Sequence, residues 1–364
     1  MRLGGIQQAA RARWSGVCVL TLALLFAIPA PSPAQTTATD PVPAVAIDPF
    51  APGVVIDFRE QMRTLIQSIS VYARSFNPRF VVIAKDGLSL VAKPDPEDDT
   101  RLFPARAYTR AIDGVMETQL LDETITTPDG KPDPVLEAAV KRRNEDLATA
   151  QASGLDVFDM EFATEPKAID AAYGSAAQKG FIPFVAEASQ LATVPSHPAT
   201  AFHANPKPIS STAEAQNYLY VANSQGFGSA NDFIGRLRDT NHDVVVVDVF
   251  HGRKPLTRQD VNWLKYKKLG APRLVLAQID ISSAASFHYY WKAGWGQGNP
   301  PFINIPVRED PDRFRTAYWD PGWQAIITGD FNSYVYGVID LGFDGVVLKG
   351  VDAWRFFESG GETQ

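Results

Sequence analysis

Helical and strand-like hydrophobic patterns alternate along the chain. In residues 58–76, apolar side chains recur every three or four positions, which predicts an amphipathic helix with one face on a core. A continuous apolar run at residues 79–84 follows directly after Asn77-Pro78. Because this run has strand length and alternates with helical segments, it predicts a parallel strand covered on both faces.

Apolar runs of the same kind recur further along. They predict strands at residues 112–116, 156–162, 181–186, 218–222, 243–249, 273–281, 302–307 and 343–348. Helical patterns separate most of them, and residues 323–341 predict one long helix. Eight or nine strands in this alternation favour a parallel sheet with right-handed crossovers.

Two proline-rich segments interrupt the alternation. Residues 188–216 lack convincing periodicity and predict a linker or a long loop, and residues 35–54 predict a flexible leader. The length that remains is close to the ~250 residues of a single (β/α)8 barrel. Two open sheets of half that size are the alternative, although neither half has a nucleotide-binding fingerprint.

Residues 1–34 have the order of a signal peptide. Three arginines precede an apolar run at residues 17–30, and small residues follow at positions 32–34. This order predicts an exported protein, periplasmic or extracellular. The apolar run is too short to span a bilayer, and no later stretch reaches ~20 apolar residues, so we expect no membrane insertion.

Composition and charge exclude several kinds of chemistry. Cys18 is the only cysteine and lies in the leader, so no thiol remains after cleavage for disulfides, thiolate catalysis or cysteine-bound metal. The five histidines lack paired spacing, so we expect neither a metal site nor a cofactor. Loss of three leader arginines would take the formal net charge from −7 to −10, which argues against a nucleic-acid partner.

Acidic side chains recur where the predicted strands end. The acids at or just beyond these ends are Glu117, Glu161, Glu187, Asp248, Asp280 and Glu309, and Lys349 holds the equivalent place after the last strand. In a parallel barrel, chemistry is located at the carboxyl ends of the strands. Paired carboxylates there are typical of glycoside hydrolysis, in which one acid protonates the leaving oxygen and another attacks or activates water. For any one of these acids, a structural hydrogen bond or ion pair is the competing interpretation.

Aromatic residues are concentrated in one part of the chain. They are Tyr289, Tyr290, Trp291, Trp295, Tyr318, Trp319 and Trp323. Flat rings with a polar edge suit the C–H faces of sugars. About half of these rings should be ordinary core, above all Trp323, which shares a helical stripe with Tyr334.

Several segments together resemble one enzyme family. The segments are NYLYVANSQGF, DVVVVDVF, PLTRQDVNWLKYKKLGAPRLVLAQIDIS, SFHYYW, AYWDPGWQAII and GFDGVVLKGVDAW. In that order they resemble the first five βα units of glycoside hydrolase family 114, the endo-α-1,4-polygalactosaminidase-like barrels that include a branch once labelled as related to cysteinyl-tRNA synthetase. MRTLIQSISVYARSFNPRFVVIAKDG, YTRAIDGVMETQLL, GLDVFDMEF and GFIPFVAE resemble the rest of the barrel.

The order of these segments differs from that of the family. Residues 55–187 resemble units six to eight but come first, residues 217–358 resemble units one to five, and residues 359–364 are a tail. A closed barrel places its last strand beside its first, which allows the chain to be joined and reopened elsewhere. The resemblance therefore implies a circularly permuted (β/α)8 TIM barrel in which residues 188–216 join the ancestral termini.

The resemblance also implies site residues. Glu117 matches the family's catalytic glutamate, Lys349 stands where a catalytic aspartate is usual, and Lys85-Asp86-Gly87 replaces Gln-Asn-Gly. A lysine beside Glu117 would lower the pKa of that carboxyl and slow or abolish the inherited mechanism. The replacement partners to consider are Asp280, Asp248, Glu161 and Asp352. The expected substrate-binding residues are Trp291, Tyr290, Trp319, Tyr318, Asp352, Asn223 and Lys85.

Three functions follow from these observations. The first is an exported hydrolase that acts on an amino-sugar-containing polysaccharide. The resemblance implies that the amino sugar is galactosamine. The second is a carbohydrate-binding pseudoenzyme of the cell envelope. The third is a structural or partner-binding protein that uses the barrel as a rigid body, since one barrel fold hosts many activities.

Overall fold

The computed structural model describes residues 56–95, 97–98, 101–308 and 310–361. The predicted signal peptide, the whole of the predicted leader, and Glu309 lie outside the described residues. The α-helices are α1 (Phe58–Phe76), α2 (Arg106–Ala111), α3 (Pro134–Ala152), α4 (Pro166–Gln178), α5 (Ala230–Arg238), α6 (Arg258–Leu264), α7 (Pro321–Thr328), α8 (Tyr334–Leu341) and α9 (Trp354–Glu358). The strands are β1 (Val81–Lys85), β2 (Ala92–Pro94), β3 (Leu102–Pro104), β4 (Gly114–Thr118), β5 (Asp156–Phe162), β6 (Ile182–Ala186), β7 (Tyr218–Val221), β8 (Val244–Asp248), β9 (Phe250–His251), β10 (Lys254–Pro255), β11 (Leu274–Asp280), β12 (Ser283–Ala285), β13 (Ile303–Val307), β14 (Asp310–Thr316) and β15 (Gly345–Lys349).

Eight parallel strands form the main sheet in the order β6-β5-β4-β1-β15-β11-β8-β7. This order follows the chain around a ring, because the last strand, β15, pairs with the first, β1, from Val81↔Gly345 to Ala84↔Leu348. β6 and β7 lie side by side, but no ladder pair joins them among the described residues. The sheet is therefore a nearly closed eight-stranded parallel barrel, which confirms the predicted α/β class and barrel.

The first helix shows how the sequence builds the outer layer. Asp57 caps α1 by accepting a hydrogen bond of 2.8 Å from the Glu60 backbone N–H. The predicted apolar stripe of α1, which includes Met62, Leu65 and Ile69, is fully buried against the core. Burial of this stripe holds α1 against the barrel, as the periodicity of residues 58–76 predicted.

The strand predicted at residues 302–307 forms outside the barrel. β13 pairs with β14 in an antiparallel sheet whose order is β12-β14-β13. Only one face of β13 is covered, and Pro306 has no N–H to donate to a central ladder. Residues 55–187 and 217–358 therefore contribute four barrel strands each, which corrects the division into three and five units.

The helix predicted at residues 323–341 is two helices. α7 ends at Thr328 and α8 begins at Tyr334, and between them the Asp330 carboxylate accepts a hydrogen bond of 2.7 Å from the Asn332 backbone N–H. This local side-chain bond favours a turn over a continued helix. Trp323 and Tyr334 are both buried, as their shared stripe predicted.

The segment between β6 and β7 contains one short 3-10 helix, Thr212–Glu214, as its only helix or strand. It is nevertheless tied to the barrel, because the Asn205 side chain and the Gln216 backbone N–H donate to Asp243, which lies just before β8. Within the described residues, no helix combines the length and apolar character that crossing a bilayer requires.

Candidate functional site

Glu117 lies in β4 near the strand's carboxyl end, and its side chain is partly buried. Its Oε1 accepts a hydrogen bond of 2.7 Å from the Leu88 backbone N–H. Burial is the largest cause and the negative charge of Asp86 is the next, and together they raise the pKa of Glu117 to about 8. The Leu88 N–H and the Lys85 ammonium oppose this shift. The raised pKa favours the protonated form of this carboxyl, which is the form that a general acid needs.

The Asp86 carboxylate is the first charged neighbour of Glu117. Asp86 follows β1 directly, and its Oδ2 lies 2.6 Å from Lys85 Nζ in an ion pair. Its backbone N–H donates to the Met116 carbonyl at 2.9 Å, and its φ of 58° is in the left-handed region. Strained positions of this kind in non-glycine residues are enriched at functional sites. The sequence prediction omitted Asp86, although an acid directly after a strand was the signal that could have found it.

Lys349 does not act on Glu117 in the way that the sequence predicted. The Lys349 ammonium lowers the pKa of Asp248 instead, while burial, the larger effect, raises it. The cation that opposes the pKa shift of Glu117 is Lys85, and burial outweighs it. The prediction of a lowered Glu117 pKa is therefore wrong, because it treated a neighbouring charge as decisive and did not include desolvation.

Asp352 connects the surroundings of Glu117 to an open cavity. Asp352 follows β15, and burial together with the Asp86 charge raises its pKa. The negative charge of Asp352 in turn helps to raise the pKa of Glu117. Asp352 also lines a cavity of about 650 Å³, together with Asp280 and Lys349. Three predicted site residues, from β11, β15 and the turn after β15, thus share one cavity.

Backbone N–H groups hold the Asp280 carboxylate at the carboxyl end of β11. Its Oδ1 accepts hydrogen bonds from the Ser282 and Ser283 backbone N–H groups at 3.0 and 2.9 Å, and Arg313 lies 3.7 Å from its Oδ2. Asp280 and Lys349 are direct neighbours in the β11·β15 register. This arrangement fixes a carboxylate on the wall of the cavity.

Asp248 belongs to a chain of hydrogen bonds inside the barrel. Its Oδ1 accepts from the Phe250 backbone N–H at 2.8 Å, and its Oδ2 accepts from the Gln278 amide at 3.1 Å. The Tyr220 hydroxyl donates to Gln278 Oε1, the oxygen of the same side-chain amide. With both oxygens occupied, Asp248 orients its neighbours and is a weaker candidate for proton transfer than Glu117.

Glu161 lies with a second carboxyl that the sequence prediction missed. Glu161 Oε1 accepts a hydrogen bond of 3.0 Å from the Leu121 backbone N–H. Asp159, two positions earlier on the same face of β5, is fully buried, and burial with the Glu161 charge raises its pKa. This pair lies on β5, and the charge of Glu161 is not among the main causes of the Glu117 pKa shift.

The aromatic residues divide into core and surface. Tyr318 is fully buried and donates to the Phe58 carbonyl at 2.7 Å, and Trp319 packs on the Phe357 ring at 4.7 Å between centroids. These two rings are part of the core, which corrects their predicted role in substrate binding. Tyr290 is partly buried and contacts the Trp323 ring in a T-shaped arrangement at 5.7 Å between centroids.

Two further predicted contacts have structural partners. Trp291 stacks on Phe314 at 5.3 Å between centroids and is half-buried. Asn223 is exposed after β7 and accepts a hydrogen bond of 3.1 Å from the Gln225 backbone N–H.

Glu187, after β6, accepts hydrogen bonds from Ser196 and so fastens the segment that follows. Across the described ranges, no cluster of three or more His, Cys, Asp or Glu side chains could hold a metal ion.

Comparison with known proteins gives local similarities. No family model matches the chain. An uncharacterized protein of Deinococcus radiodurans is 38% identical over 86 residues, which are 23% of this chain and 26% of that protein. An uncharacterized protein of Thermotoga maritima is 28% identical over 86 residues, which are 24% of this chain and 25% of that protein. The chain thus spans about a quarter of the length of the curated relatives that it matches, and these similarities assign no activity.

Proposed function

We propose that this protein is an exported glycoside hydrolase that cleaves an amino-sugar-containing polysaccharide. The observation that carries the proposal is the position of Glu117 at the carboxyl end of β4, where burial raises its pKa to about 8, with the Asp86–Lys85 ion pair and Asp352 around it. In the proposed reaction, Glu117 gives its proton to the glycosidic oxygen as the bond to the leaving sugar breaks. Asp86 or Asp352 supplies the second carboxylate, which attacks the sugar or activates water.

Asp86 is added to Asp352, which was one of the four partners considered from the sequence. The charges of both are among the main causes of the Glu117 pKa shift, whereas those of Asp280, Asp248 and Glu161 are not. Lys85 fits the role of positioning Asp86 and of orienting a sugar hydroxyl, because its ammonium already donates to Asp86 at 2.6 Å. Two carboxyl groups held in opposite protonation states are the arrangement that glycoside hydrolysis requires.

Release of reducing ends from partly N-acetylated polygalactosamine tests the proposal. The wild type should release them, and Glu117→Gln should reduce the rate by at least about 100-fold, because it removes general acid catalysis. Glu137→Gln changes an exposed glutamate in the first turn of α3 and is the matched control. Equal rates for the wild type and Glu117→Gln would refute the role of Glu117.

We further propose that the barrel is a circular permutant of the glycoside hydrolase family 114 barrel. The incomplete pairing between β6 and β7 supports this, because it lies where residues 188–216 would join the ancestral termini. The full parallel register of β1 with β15 supports it as well, since these strands would be consecutive in the ancestral chain.

A carbohydrate-binding pseudoenzyme is the second candidate, and one surface favours it. A groove of about 560 Å³ follows the ends of β8 and β12, and the rings of Phe287, Tyr289 and Phe331 are exposed along it. Exposed rings of this kind suit stacking on sugars. Retention of the same polymer without release of reducing ends, lost in Tyr289→Ala, would favour this candidate over the hydrolase.

A further inference from the structure

The cavity of about 650 Å³ beside Asp352 is strongly cationic. Among the described residues, its walls carry five cations, Arg308, Arg313, Arg315, Lys349 and Arg355, against three acids, Asp280, Asp310 and Asp352. The protein as a whole has a formal net charge of −7, so this positive surface is a local feature.

Most of these cations are not neutralised by the protein. Arg313 is paired with Asp280 at 3.7 Å and with Asp310 at 3.3 Å. In the part of the chain that the structure describes, no carboxylate oxygen lies within 4.0 Å of the charged nitrogens of the other four. A group of like charges on one concave wall repels itself, and a bound anion relieves that repulsion.

Arg315 has the geometry of a binding residue. It extends from β14, where Ser283↔Arg315 pairing fixes its backbone, and its guanidinium lies 4.3 Å above the Phe356 ring. Its Nε is buried and has no hydrogen-bond partner among the described residues. A buried guanidinium donor without an acceptor is costly, and a carboxylate or an ester oxygen would satisfy it.

We propose that this cavity is a subsite for an anionic substituent of the glycan, either a carboxylate or an ester sulfate or phosphate. The inference rests on the proposed function and narrows its substrate to an amino-sugar polysaccharide that also carries acidic groups. Asp352 contributes to both the cavity and the electrostatic surroundings of Glu117, so the anionic group would lie close to the bond that is cleaved. A polygalactosamine without such groups should still be cleaved, but it should bind more weakly than one that carries them.

Binding is measured by calorimetry in the whole exported chain with Glu117→Gln, so that the result does not depend on turnover. The probes are oligogalacturonate, dextran sulfate and neutral dextran of equal length. An anionic probe should bind at least about tenfold more tightly than dextran, and this advantage should shrink as salt is raised. Binding of oligogalacturonate alone identifies a carboxylate, and binding of dextran sulfate alone identifies an ester.

Variants distinguish binding in this cavity from general electrostatic attraction to the protein surface. Arg315→Gln should weaken binding of the anionic probe at least about fivefold, and the exposed Arg355→Gln, which carries little risk to folding, should weaken it as well. Arg258→Gln, at an exposed ion pair with Asp340, is the matched control. Equal binding of dextran, no binding of either anionic probe, or unchanged affinity in both cavity variants would overturn the inference. Anion binding without release of reducing ends by the wild type would instead refute the hydrolase.

Discussion

Arg59 forms a two-point ion pair with Glu358 across 299 positions of the sequence. The Arg59 Nε and Nη2 atoms donate to the two Glu358 carboxylate oxygens at 2.9 and 3.1 Å. Arg59 is in the first turn of α1, and Glu358 is the last residue of α9. The first and last helices of the described barrel therefore meet, as the proposed circular permutation requires.

A chain rejoined at this place is expected to fold. We predict that linking Gly361 to Ile56 through about six Gly and Ser residues, and opening the chain between Ala199 and Thr200, preserves the barrel, because the helix ends already touch. The free energy of unfolding should change by no more than about 2 kcal/mol, since loop closure depends weakly on length. Urea denaturation followed by circular dichroism measures it.

The control opens the same rejoined chain inside a barrel strand. A break between Phe184 and Val185 divides β6 and separates the pairs Met160↔Phe184 and Glu161↔Val185. That variant should fail to fold, because it removes ladder hydrogen bonds that a buried strand cannot replace. A failure of both variants would contradict the view that residues 188–216 are a joining segment.

The barrel was predictable because its strands are continuous buried runs. Val244–Asp248 is apolar up to its final acid, and each of its valines is buried. β14 was missed because Asp310–Thr316 has three charged residues before Phe314 and resembles a loop. Its pairing depends on the distant strands β12 and β13, and such contacts leave no local periodicity.

The chemistry of the site was less predictable than its location. Acids at strand ends were found from the sequence, but the raised pKa of Glu117 depends on burial that only the folded barrel provides. In the same way, Trp319 and Trp291 look alike in the sequence. Packing against Phe357 buries the first, whereas the second is half-exposed.

Glu117 should make stability depend on pH. Its pKa is raised from 4.5 to about 8 in the folded protein, so between these values the folded state binds more protons than the unfolded state. Stability therefore falls as pH rises through this interval. Relative to Glu117→Gln, the wild type should lose on the order of 3 kcal/mol between pH 5 and pH 9. Urea denaturation of both proteins at each pH measures the difference.

The comparison with Glu117→Gln removes the contribution of all other titrating groups. Glu137→Gln, on the exposed side of α3, should keep the full pH dependence of the wild type. If the wild type and Glu117→Gln changed in parallel with pH, Glu117 would already be ionised at neutral pH, and its role as an acid would be lost.

A buried ion pair fastens the segment between β6 and β7 to the barrel. Lys267 Nζ donates to Asp243 Oδ1 and to the carbonyls of Asn205 and Lys207, and both charged side chains are fully buried. Lys267→Met should lower the free energy of unfolding by about 3–5 kcal/mol, because it leaves Asp243 without its counter-ion. Lys268→Met removes only an exposed pair with Asp239 and should have no measurable effect. Equal denaturation midpoints for the two variants would refute this anchoring role.

Gly350 brings β15 against the wall of the cationic cavity. Its φ is +76°, and a Cβ there would overlap Ser282 Oγ and lie 3.0 Å from Asp280 Oδ1. Gly350→Ala should cost about 2 kcal/mol more than Gly360→Ala, because Gly360 has a similar φ of +78° with nothing within 4 Å. Gly350→Ala should also weaken binding of oligogalacturonate, since moving Ser282 disturbs the backbone N–H that holds Asp280.

Denaturation and calorimetry on both variants measure these effects. Equal losses in the two variants would mean that the turn conformation alone, and not the close approach to Ser282, requires glycine at this position.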